Sequence, residues 1–144
     1  MEMATVNYAA VLVASVVSII VSFIWYGPIF GKTWMKLMKV MPKDAAKGKK
    51  QMPANTLGMF VAMLVMNFIL ANLLDFAGAL SVADALATGF MVWLGFIATV
   101  LFGNWIWSRG PSKLFAINVV HYLVILLVSS AIITMMSVRV IMIP

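Results

Sequence analysis

Four long apolar stretches, parted by short breaks and one longer basic break, set the pattern of this 144-residue chain. They cover roughly residues 4–26, 54–77, 82–107 and 114–137. Each meets the length of about 20 residues that a bilayer core demands of a helix. None alternates between polar and apolar positions as a barrel strand would, so helices are predicted. The second and third breaks, "FAGALS" and "SRGPSK", are short and carry Gly or Pro, which predicts antiparallel neighbours. The predicted fold is an all-α membrane protein, a four-transmembrane-helix bundle of two antiparallel hairpins forming one domain over residues 1–144.

The first break differs from the others. In "WYGPIFGKTWMKLMK", residues 25–39, lysines appear among aromatic and apolar residues directly after the first span. Pro28 removes a backbone donor and crowds the preceding turn, so the helix is interrupted there. A short amphipathic helix is predicted over about 31–41. At 100° per residue, Lys32, Lys36, Lys39 and Lys43 fall within roughly 60° of one another. Phe30, Trp34, Leu37, Met38 and Met41 gather opposite. Such a helix lies in the membrane interface with its lysines toward anionic headgroups, each contributing on the order of 1 kcal/mol. Trp25 and Tyr26 fit an interfacial aromatic belt. The helix serves either as an orientation anchor or as a lipid-sensing or partner-docking element. The segment 42–53 that follows reads as a polar, proline-bounded cytoplasmic loop acting as a tether.

Composition sharpens this picture. The chain is 65% hydrophobic and 10% charged, against about 25% charged in a soluble domain, and its mean hydropathy is +1.10. With no cysteine, disulfides and thiolate metal sites are excluded. The net charge of +6 would suit nucleic acid, but seven of the ten Lys/Arg residues lie between Lys32 and Lys50. Membrane topology accounts for that cluster, and no nucleic-acid partner is expected. The third break adds Arg109 and Lys113, while the opposite side carries only Arg139. By the positive-inside rule both basic connections are cytoplasmic and both termini, including Glu2, lie outside. A cleaved signal peptide is not expected, because no basic residue precedes the first apolar run.

Several stretches together resemble a known family. Asn7-Tyr8 at the first span, "WYGPIFGKTWM" at its end, "MNFILANLL" in the second, "WLGF" in the third and "RGPSKLFAIN" at the start of the fourth are similar to the bacterial membrane family catalogued as domain of unknown function 1761. In that family the fourth span often carries tyrosine then histidine after the asparagine; here the order is His121 then Tyr122. The resemblance covers nearly the whole chain. It implies a four-span protein of a bacterial cytoplasmic membrane and no assigned activity.

Candidate chemistry lies in polar residues inside the spans, where lipid offers them no partners. Asn67 and Asn72 fall in the second span, Thr88, Thr99 and Asn104 in the third, and Asn118 and His121 in the fourth. Asn118 and His121 share a helical face, and the topology brings Asn104 and Tyr26 to the same depth. The expected cluster is therefore Tyr26, Asn104, Asn118 and His121, serving either a solute or the bonding of helix to helix at roughly 0.6 kcal/mol per bond. Asp75 and Asp84 flank the outer turn, as solvated markers or as a cation-attracting vestibule. No metalloprotease motif, phosphate loop or nucleophile–base set is present, and a lone histidine is a poor metal site. No enzyme activity, cofactor or metal is therefore expected. Small residues recur every fourth position at Ala10, Ala14, Ser18 and Ser22; at Ala54, Gly58 and Ala62; and at Gly95, Thr99 and Gly103. Such seams permit close helix packing within one chain or between copies. The functional expectation is a small homo-oligomeric, most simply dimeric, transporter or channel-like protein for an ion or small solute. The alternative is a scaffold that uses the lysine-rich loop to bind a partner. A weak internal symmetry, with Gly-Pro in both "WYGPIFGK" and "WSRGPSK", accompanies the first reading.

Overall fold

The computed structural model of the chain describes residues 6–141, with side chains through residue 137. Glu2, Ala4 and the side chain of Arg139 lie outside the described residues. Among those described there is no strand, and four helices are long and apolar enough to cross a membrane: Tyr8–Ile29, Pro42–Phe76, Val82–Ser108 and Ser112–Ser137.

The first span is α1, Tyr8–Ile24, continued by a wide π-type turn over Trp25–Ile29. Asn7 starts it: its Oδ1 accepts the Ala10 N–H at 3.1 Å, and its Nδ2 donates to the Met136 carbonyl at 3.3 Å. One asparagine thus caps the first helix and ties it to the end of the last. The wide turn answers the proline. Pro28 would collide with the carbonyl four residues back, and closing the turn on the fifth residue, with Phe30 N–H donating to Trp25 O at 2.9 Å, accommodates the ring. Gly31 then opens the short helix α2, Gly31–Leu37. A Cβ there would come within 2.7 Å of the Tyr26 carbonyl oxygen, so only glycine lets α2 fold back so tightly.

Helix α2 is shorter than the 31–41 expected. It ends in a Schellman motif, with Lys39 in the left-handed region (φ 53), its N–H donating to Lys36 O and that of Val40 to Met35 O. A lysine there carries a Cβ penalty that glycine avoids. Lys39→Gly is therefore expected to stabilise the fold by up to about 1 kcal/mol, read as a raised unfolding midpoint.

The largest departure concerns residues 42–53. In place of a tether, they form the first turns of α3, Pro42–Phe76, a helix of 35 residues. Pro42 occupies a first-turn position where its missing N–H costs nothing. Asp44 complements the helix dipole there, and Ala45, Ala46, Lys47, Lys49, Lys50 and Gln51 are mostly good helix formers. At 1.5 Å per residue α3 is about 52 Å long, well beyond a bilayer core of about 30 Å. The basic turns form a helical arm projecting from the bundle. At its far end Gly78 (φ 65) closes a second Schellman motif, donating to Asp75 O at 2.9 Å.

The third span comprises α4, Val82–Val92, a second π-type turn over Trp93–Ala98, and α5, Thr99–Ser108; the fourth is α6, Ser112–Ile141. Helix α1 packs against α3 and α6, and α4 packs closely on α6. The apolar core, built from Val11, Ala14, Leu70, Leu74, Ala85, Leu126 and Ile133, sits at the end remote from the basic connections. Of the small-residue seams, only the first is internal, with Ala10, Ala14 and Ser18 buried. Ala54, Gly58, Ala62, Gly95 and Thr99 are exposed, and Gly103 is half-buried.

Candidate functional site

Toward the basic end the apolar core gives way to polar pairs. Along one face of the first span, Ser15, Ser18 and Ser22 of α1 and Tyr26 of the wide turn follow at helical spacing, and each meets a side chain from another helix. Asn67 of α3 donates to Ser15 Oγ at 3.0 Å, and Ser18 Oγ lies 3.2 Å from Ser129 Oγ of α6. Ser22 Oγ lies 3.0 Å from His121 Nε2, and the Tyr26 hydroxyl donates to Asn118 Oδ1 at 2.8 Å. This ladder runs from mid-span to the basic end.

The histidine tautomer follows from the bonding. The Ser22 hydroxyl donates its proton to the Ser18 carbonyl at 2.8 Å, so its oxygen accepts and His121 Nε2 carries the hydrogen. Nδ1 then holds a lone pair, and it has no hydrogen-bond partner although His121 is 2% exposed. Rings pack around it, with Tyr26 centred 4.7 Å, Tyr122 5.1 Å and Trp25 6.0 Å away.

Beside this ring lies a cavity of about 310 Å³ between α1, α3 and α6. Its inner wall is made by Ser22, Tyr26 and His121, and its rim includes Tyr122 and, from α3, Asn55 and Thr56. Ile19, Phe23, Met52 and Met59 supply the apolar sides, and Gly48 of the basic arm lies at the margin. The volume falls at the lower end of the range of roughly 300–1,000 Å³ found for small-molecule sites.

Of the expected cluster, the structure brings Tyr26, Asn118 and His121 together and leaves Asn104 apart. Asn104 is exposed and lines a separate recess of about 130 Å³ at the third connection, shared with Asn118. Trp25 is more than an interfacial anchor, because its indole N–H donates to the Ile117 carbonyl of α6 at 3.1 Å. Trp34 is half-buried with its ring centred 6.1 Å from that of Tyr26, while Lys32, Lys36, Lys39 and Lys43 are exposed. At the opposite end Asp84 forms a capping box, accepting from the Ser81 N–H at 3.1 Å while Ser81 Oγ accepts from the Asp84 N–H. Asp75 is exposed in the last turn of α3. Asp84→Ala is expected to cost about 1 kcal/mol through the lost cap, measurable as a lower unfolding midpoint. Among the described residues no three His, Asp or Glu side chains gather as metal ligands would.

Ser22, Asn55, Thr56 and Tyr122 were not expected at the site. The signal for Ser22 is the recurrence of hydroxyls at 15, 18, 22 and 26 on one helical face. A second overlooked pattern is W-x-G-x-I, present as "WYGPI" at 25–29 and "WLGFI" at 93–97. Both lie at π-type turns, and both tryptophans donate to α6 carbonyls: Trp25 to Ile117, and Trp93 to Val119 at 2.9 Å. The two Gly-Pro pairs are not equivalent. Gly27-Pro28 lies within a helical turn, whereas Gly110-Pro111 lies in the connection after Arg109, which adopts the left-handed region at φ 51. Wide turns of this kind occur often at functional sites.

Comparison with known proteins gives one positive finding. The family model described as "Protein of unknown function (DUF1761)" matches residues 9–134. No curated protein and no solved structure matches the chain. The matched segment takes in the hydroxyl ladder, the cavity and both tryptophan turns, and the chain belongs to the DUF1761 family.

Proposed function

We propose that this protein is a small carrier or channel-like subunit whose recognition site is the lateral cavity beside His121. The observation that carries this reading is a ligand-sized cavity walled by in-span polar residues, among them His121, whose buried Nδ1 has no partner. Polar groups at membrane depth are costly and concentrate where a solute is handled. The ladder itself is closely packed, with Ser15, Ser18, Asn67 and Ser129 all buried, so a route past it calls for a second copy. The third span offers the surface: 11% of its most apolar stretch is buried, against 44% for the fourth span. A homodimer joined there is the simplest assembly. The lysine-bearing end faces the cytoplasm of a bacterial cell by the positive-inside rule, and the arm attracts anionic headgroups. Cysteines introduced at Lys47 and Gly110 should react only from the cytoplasmic side, and one at Gly78 only from the exterior.

The scaffold reading draws on a different observation. The basic arm is helical, with Lys43, Lys47, Lys49 and Lys50 exposed. Reconstitution in vesicles separates the two. Transport predicts solute-dependent uptake or current that falls at least tenfold in His121→Ala. Silence across ions, polar solutes and amphiphiles, with a cytoplasmic protein held by the arm, would favour the scaffold.

A further inference from the structure

The chemistry of the cavity narrows what it takes. Resting on the proposal that the cavity is a binding site, we infer that its ligand is a neutral single-chain amphiphile carrying a hydroxyl head. The hydrogens of the inner wall are all engaged. Ser22 donates to Ser18 O, His121 Nε2 donates to Ser22 Oγ, and the Tyr26 hydroxyl donates to Asn118 Oδ1. What these three residues retain is accepting capacity, on the Ser22 and Tyr26 oxygens and at the covered His121 Nδ1, while Asn55, Thr56 and Tyr122 in the same lining can donate as well as accept. A head that meets both sets must donate and accept without carrying charge. Carboxylate and phosphate oxygens only accept, and no Lys or Arg lines the cavity to hold them. An ammonium donates, but no carboxylate lines the cavity either, and the neighbouring arm is rich in lysine. A hydroxyl meets both conditions.

The chain has a place as well. A groove of about 430 Å³ between α1 and α3, lined by Val16, Ile20, Pro53, Leu57 and Phe60, shares Ile19, Phe23 and Thr56 with the cavity. Head site and apolar groove are therefore neighbours, with these three side chains between them. A single alkyl chain leaving the cavity would run along α1 toward the membrane interior.

The test uses the full chain in phosphatidylcholine nanodiscs with diazirine probes of one chain length: a fatty alcohol, its methyl ether, the fatty acid and a phosphatidylcholine. Labelled residues are mapped by mass spectrometry. The alcohol should label the region of Ile19, Phe23 and Thr56 at least tenfold more than the ether, and excess monoacylglycerol should displace it. His121→Phe should abolish that preference. Met59→Trp, a change at an exposed position on the cavity side, should reduce labelling without touching the core. Equal labelling by alcohol and ether, or preference for the acid or phospholipid, would overturn the hydroxyl assignment and leave the cavity standing. Labelling no stronger there than at Met91 and Phe96 on the third span, and unchanged by Met59→Trp, would overturn both.

Discussion

Gly89→Leu is expected to be one of the two most damaging single changes in this protein. A Cβ at Gly89 would overlap Ser130 Oγ and lie 3.2 Å from Ser130 Cβ and 3.3 Å from the Leu126 carbonyl oxygen. Helix α4 thus rests almost directly on the backbone of α6, and leucine would force the two apart. Overpacking of this kind costs about 1–3 kcal/mol and sometimes more, and here it strikes a tight contact between α4 and α6. Gly89→Ala should cost less, because its nearest obstacle is a side chain that can be removed. Ser130 Oγ has no hydrogen-bond partner among the described residues, so Ser130→Ala should be nearly neutral alone and should recover part of the Gly89→Ala loss. Unfolding midpoints in mild detergent for the single and double variants measure this coupling. Additive losses would mean that the contact is looser than described.

Trp25→Ala carries the second large effect, for a reason the sequence pattern hides. A tryptophan at the end of a span reads as a lipid-facing anchor, whose loss shifts the helix in the membrane and little else. In the fold Trp25 is a strut. Its indole N–H reaches Ile117 O at 3.1 Å, and its ring lies 4.9 Å from Phe30 and 6.0 Å from His121. Trp25 is half-buried, so truncation should cost somewhat less than the roughly 3–5 kcal/mol of a fully buried aromatic residue. Trp25→Phe, which keeps much of the ring and loses the bond, should cost roughly 1 kcal/mol. An anchor alone would make the phenylalanine variant indistinguishable from wild type in thermal unfolding.

The spans are legible because each is a continuous apolar run, and no other structure satisfies the backbone in lipid. Residues 42–53 misled because their polarity suggests a solvated tether. The signals that matter there are local: Pro42 in the first turn, Asp44 beside it, and alanines, lysines and glutamine that propagate a helix. The meeting of Tyr26, Asn118 and His121 follows from helical spacing and antiparallel order. Ser22 was hidden because a serine in an apolar helix ordinarily bonds its own i−4 carbonyl, as Ser15, Ser18 and Ser22 all do. Which of them also meets another helix depends on the rotation of helices about their axes, which the pattern does not encode. The same unknown governs Asn104. Its depth matched that of Asn118, but its face turned outward beyond the π-type turn at Trp93–Ala98.

The chain lacks cysteine, so single cysteines can map the cavity against a silent background. Substitutions at Met52, Thr56 and Met59 sample its wall, and those at Val61 and Val65 sample exposed positions of the same helix that line neither the cavity nor the groove. With the protein in bilayers, a membrane-impermeant thiol reagent applied from the basic side should modify the first three. It should leave Val61→Cys and Val65→Cys unreacted, and a fatty alcohol should protect Thr56→Cys. Uniform protection of all five positions, or uniform reaction unaffected by the alcohol, would contradict a ligand site beside His121.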